Sequence, residues 1–151
     1  MNNISPWRGR VITLACVGLA GCALGQAQLR PEGGAMADCV DGPHCVSSQA
    51  TDPNRHVEPL RYAGSQAAAE QALLAELQAL PRAEVITHDA GYIHAEVTSS
   101  IMGYVDDVEF VFLPEQRIDV RSSSRIGYYD FNVNRKRVER LRDGFNARMN
   151  P

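Results

Sequence analysis

A chain of 151 residues, 44% hydrophobic and 7% aromatic, has room for one domain with a single core plus a leader and a linker, and its composition excludes a multi-span membrane protein. The formal net charge of −3 argues against a chain drawn to nucleic acid by its overall charge. The charges are unevenly spread, however. Residues 121–148 hold eight basic side chains against three acidic ones, while residues 22–120 hold five against fifteen. Folding must bring an acidic majority against a basic C-terminal segment, and internal ion pairing is the simplest outcome.

The first element is a leader. Arg8 and Arg10 precede an apolar run, Val11–Ala20, about half the length a membrane-spanning helix requires, so the run reads as the core of a signal peptide. It ends in Leu19-Ala20-Gly21-Cys22, which resembles the bacterial lipobox. On that reading residues 1–21 are removed and Cys22 becomes a diacylated N-terminus. Two acyl chains suffice for stable anchoring at ~0.8 kcal/mol per buried methylene. Ala23 is not the aspartate associated with inner-membrane retention, so the expected address is the bacterial cell envelope, at the outer membrane and facing the periplasm. The alternative is an ordinary signal peptide with an incidental cysteine.

Residues 22–38 show no sustained period and are rich in Ala, Gly and Gln, the composition of a tether, with one domain expected over residues 39–151. With Cys16 lost and Cys22 lipidated, Cys39 and Cys45 bracket an Asp-Gly-Pro turn, and in an oxidising compartment a disulfide is the expected outcome. Two alternatives are a metal site with His44 and His56, whose spacing matches no usual zinc pattern, and a reactive thiol, which lacks a Cys-x-x-Cys context.

The domain reads as α-β-β-β-β-α. Ser65–Leu80 carries Ala69, Leu73, Leu77 and Leu80 on one face, with Ser65 placed to cap the helix and Pro81 to end it. Four β-prone runs follow. Ala83–His88 turns through His88-Asp89-Ala90-Gly91 into Tyr92–Ser99, where Ile93, Ala95 and Val97 oppose His94, Glu96 and Thr98. Tyr104–Leu113 and Arg117–Arg125 alternate likewise. Matching their apolar faces across Pro114-Glu115-Gln116 pairs Phe112 with Ile118 and Phe110 with Val120, sets Glu109 against Arg121, and leaves Asp107 diagonal to Arg121 and Arg125. A helix from about Asn132–Asn134 to Ala147 buries Val138, Leu141 and Phe145. The expected class is α+β: a four-stranded antiparallel meander with both helices on one face.

The stretches CVSSQA (Cys45–Ala50), MGYVDDVEF (Met102–Phe110) and VRSSSRIGYYDFNVNRKRVERLR (Val120–Arg142) resemble the bacterial and plastid family known as domain of unknown function 1499, over about Cys39–Phe145. The family pattern reads Arg-Ser-Ala-Ser-Arg-x-Gly-x-Ser-Asp-x-Gly-x-Asn-Arg. Here Ser123 replaces the alanine, Tyr129 the serine and Asn132 the glycine, so a hydroxyl chemistry based on a serine at 129 is absent, while Asn tolerates the left-handed backbone a glycine would supply. The resemblance implies a single, often exported domain with no assigned activity and no cofactor.

The candidate site is the junction of the last strand with the last helix. Asp106, Asp107, Arg121, Arg125, Asn134 and Arg135 gather there, and unpaired N–H groups at the helix start favour an anion. The Val108 face that Asp106 shares would bury it and require a partner in Ser122, Ser124 or an arginine. Three readings stay open: a network fastening helix to sheet, a pocket for an anionic small molecule or an envelope protein partner, and a small hydrolase or transferase using the Asp/Arg cluster. An open cleft with unpaired charges favours the last two, and a closed network the first. No metal site is expected from His44, His56, His88 and His94; the last two flank a hairpin turn and read as an exposed pair. No G-x-S-x-G, Walker A or G-x-G-x-x-G motif occurs, and nucleic acid is not an expected partner.

Overall fold

The structure, a computed structural model, describes residues 27–39, 43–127 and 131–149. The leader and Cys22 lie outside the described residues. In chain order the elements are β1 (Cys45–Ser47), β2 (Leu60–Arg61), α1 (Gln66–Ala79), β3 (Ala83–Asp89), β4 (Tyr92–Thr98), β5 (Val105–Leu113), β6 (Arg117–Ser124) and α2 (Val133–Met149). No helix among them is long and apolar enough to cross a membrane.

The class is α+β with an antiparallel sheet, and the expected strand count is corrected. Six strands form one sheet in the order β1-β6-β5-β4-β3, with β2 also pairing with β6. β3 to β6 are the expected meander. The two additional strands, of three and two residues, line the outer edge of β6 and cover its unpaired backbone groups. Runs that short carry no readable alternation.

The register of β5 and β6 follows from matching faces. Phe112 pairs with Ile118, Phe110 with Val120 and Glu109 with Arg121. The intervening turn is taken by Glu115 and Gln116, both at positive φ (64° and 56°). In the β3–β4 hairpin Asp89 pairs with Tyr92, leaving Ala90 and Gly91 as the turn, and Gly91 has the φ of +80° that favours glycine.

α1 begins where Ser65 accepts the amide of Ala68 at 3.2 Å, and ends before Pro81, which cannot continue a helix. Its buried stripe of Ala69, Leu73 and Leu77 meets Ile93, Phe110, Ile118 and Val120 from the sheet and Val138, Leu141 and Phe145 from α2 in one core. α1 lies against α2 and β3, while α2 lies against β6 and β1. Before α2, Phe131 and Asn132 are both left-handed (φ 54° and 62°), so the asparagine adopts the geometry for which the family pattern has glycine.

Candidate functional site

Strand alternation divides the expected cluster between the two sides of the sheet. Asp107, Arg121 and Arg125 lie on the face turned away from Val108 and Phe110. Asp106 and Asn134 lie on the core side. Arg135 joins neither group and holds a loop instead.

On the outer side the charges close on one another. Asp107 Oδ1 meets His94 Nε2 at 2.8 Å and Arg125 Nη2 at 2.8 Å, and Arg125 Nε donates to Asp107 Oδ2 at 2.9 Å. Arg125 Nη2 also bonds Glu96. Burial alone would raise the Asp107 pKa, but the hydrogen bonds from His94 and Arg125 and their charges outweigh it and hold the carboxyl below its ordinary value. The hydrogen bond to Asp107 in turn raises the Arg125 pKa. Next along the sheet, Glu109 is fully buried and accepts from Tyr92 Oη (2.8 Å), Arg121 Nη1 (3.2 Å) and the backbone amide of Arg30 (2.8 Å). Burial, reinforced by Glu109, pushes the Tyr92 phenol far up, so it stays a donor. Asp119, also buried, accepts from Arg117 Nε and Gln49 Nε2. Arg121 Nε is the buried side-chain atom left without a hydrogen-bond partner among the described residues.

Residues expected to form a tether reach this face. The Arg30 guanidinium stacks 5.3 Å from the centre of the Tyr92 ring, and Met36 is buried. The contacts of Arg30 shield part of a polar sheet face that would otherwise meet water.

On the core side Arg137 bridges Asp106 Oδ2, Asn134 Oδ1 and Ser122 Oγ (3.0 Å), and Asn134 Nδ2 donates to Ser124 Oγ (3.0 Å) and to the His44 carbonyl (2.9 Å). Asp106 therefore has the arginine partner its burial requires, and that partner is Arg137. Arg137 stands three residues after Asn134, so the two share the buried face of α2.

Two other arginines of α2 act as clamps. Arg135 donates to the carbonyls of His56 and Asn54 at 2.8 Å, and Arg142 to those of Pro59 (2.9 Å) and Glu58. Together they fasten residues 54–59 to the helix. Cys39 and Cys45 form a disulfide at the start of β1, which removes both thiolates from any metal or redox role.

The histidines depart from the expected exposed pair. His94 is 2% exposed and belongs to the outer network, whereas His88 reaches Glu70 of α1 on the other side of the sheet. Successive residues of a strand point to opposite faces, and Thr87, not His88, is the residue paired with His94.

His94, Glu96 and Asp107 present three ligand atoms within 4.8 Å of one another, a set that suits a divalent cation. The Arg125 guanidinium already bonds the two carboxylates, so a metal would have to displace it. Both oxygens of Asp107 are engaged by cationic or ring N–H groups, which leaves it poorly placed to take a proton from a substrate.

The chain is thus a small α+β domain in which buried charged side chains among the described residues pair with one another. The model of a family described as "Protein of unknown function (DUF1499)" matches residues 35–145, and the chain belongs to that family. No curated protein and no solved structure matches the chain.

Proposed function

We propose that the protein is a bacterial envelope lipoprotein, anchored through acyl chains such as palmitate on Cys22, whose domain binds a ligand or a partner protein and performs no catalysis. The observation that carries the non-catalytic half is the closed state of the charged clusters. Asp107, Arg121 and Arg125 are spent in ion pairs at buried or half-buried positions, and Asp106, which lines a cavity, is tied to Arg137 through one of its oxygens. Residues of these types in a catalytic site would face a cleft with an acid or base free to meet substrate. Support for the address comes from the leader and from the disulfide, a feature of oxidising compartments. We further infer that both helices cover the same face of the sheet, since they touch each other and bury their stripes in one core.

Two experiments test this reading. Metabolic labelling with palmitate is expected to mark the protein in the envelope fraction and to fail for Cys22→Ser; a protein never labelled would overturn the anchoring. Arg125→Ala frees the carboxylates of Glu96 and Asp107, so the variant is expected to unfold or to melt well below the parent. A variant as stable as the parent that has lost activity in a strain lacking the native gene would favour the hydrolase or transferase reading.

A further inference from the structure

Six large hydrophobic side chains stand exposed among the described residues, and five of them gather at one end of the sheet. Ile101 (90% exposed) and Met102 (64%) project from the β4–β5 loop beside Tyr104, and Phe131 (74%) and Val133 from the entry to α2. They rim a cavity of about 360 Å³, at the small end of the ~300–1,000 Å³ typical of ligand sites. The loop is built to hold its hydrophobes outward. Ser99 N bonds the Tyr104 carbonyl at 2.8 Å, Tyr104 N bonds Ser99 Oγ at 3.0 Å, and Gly103 supplies the positive φ (66°) that closes it. Holding apolar groups in water adds nothing to stability, and a clustered patch of this kind marks a binding surface.

The polar groups of the cavity lie at its buried end. Asp106 is 5% exposed and sits opposite Ser124 in the β5–β6 register, so the two side chains share one face. Among the described residues Arg137 is the partner of Asp106, on Oδ2, which leaves Oδ1 to accept from a ligand. Ser124 Oγ accepts from Asn134, leaving its O–H to donate. One acceptor beside one donor matches a hydroxyl group, which donates and accepts in turn. Among the described residues of the lining Asp106 alone is charged, and its Oδ1 could not accept from a deprotonated carboxylate or phosphate, which has no proton to donate.

We propose that this cavity binds a neutral single-chain amphiphile, its hydroxyl-bearing head at Asp106 and Ser124 and its alkyl chain along Ile101, Met102 and Phe131. The proposal rests on the reading of the domain as a binding module and names the class of its ligand.

The test is isothermal titration of the full chain carrying Cys22→Ser, so that it holds no acyl chain of its own. The probes are monolauroylglycerol, below its micelle concentration, and laurate, above its carboxyl pKa. Saturable one-to-one binding of monolauroylglycerol is expected, with laurate weaker by about ten-fold or more. Met102→Asp changes an exposed side chain and is expected to fold normally, yet to weaken binding by about ten-fold or more. No saturable binding, equal binding of the two probes, or binding indifferent to Met102→Asp would each overturn the proposal. So would Met102-dependent co-sedimentation with phosphatidylcholine vesicles without binding of the monomeric probe, which would make the patch a membrane contact. Release of laurate from the bound monolauroylglycerol would leave the cavity standing and overturn the non-catalytic reading. Absence of both binding and hydrolysis would overturn the cavity alone.

Discussion

At the scale of single residues, Asp107 shows how the domain keeps charge inside. Its carboxylate is buried, which disfavours ionisation, and it stays ionised because His94 and Arg125 supply hydrogen bonds and positive charge. The folded pKa is depressed relative to the unfolded chain, so the stabilising contribution is complete above the unfolded carboxylate pKa, about 3.9. It is lost as pH falls through the lower folded value. Thermal melts across the acid range should show the parent losing stability there, while Asp107→Asn, less stable near neutrality, should lose less over the same interval. Parallel curves for the two proteins would contradict this assignment. Glu109, fully buried, accepts hydrogen bonds from three donors, one of them the amide of Arg30, far away in the chain.

Among the elements, those with a strong period were legible and the short ones were not. The stripe of α1, the β3–β4 turn and the β5–β6 register all follow from alternation and from matching apolar faces. β1 and β2 escaped because three and two residues cannot display a period; their only advantage is the free edge of β6, which is a property of the assembled sheet. The Cys39–Cys45 bridge ties the chain down just before β1. A loop this short restricts the unfolded chain by about 2 kcal/mol. Cys45→Ala should therefore unfold at lower urea by about that amount, and a reductant should bring the parent to the same midpoint. If reduction left the parent's midpoint unchanged, the bridge would carry no such role.

For the molecule as a whole, the uneven charge of the sequence resolves into internal pairing. The basic C-terminal segment meets the acidic strands through Arg121, Arg125 and Arg137, and it meets the 54–59 loop through Arg135 and Arg142. The candidate site was legible as a set of residues but not as an arrangement. Asp106 and Asp107 are adjacent in sequence, yet alternation sends them to opposite sides of the sheet, and no sequence pattern marks a buried arginine on a helix otherwise rich in exposed ones. The contribution of Arg30 was equally hidden, because a segment without period gains its order from the face it meets. The central claim is that these charges hold the fold together. Equilibrium unfolding in urea of Arg137→Met, Asp106→Leu and the double variant tests it most directly. Breaking a buried pair from one side leaves an uncompensated charge, so each single variant should lose about 3–5 kcal/mol, and the double variant should recover much of it. Single variants as stable as the parent would contradict the claim and return Asp106 and Arg137 to the search for chemistry.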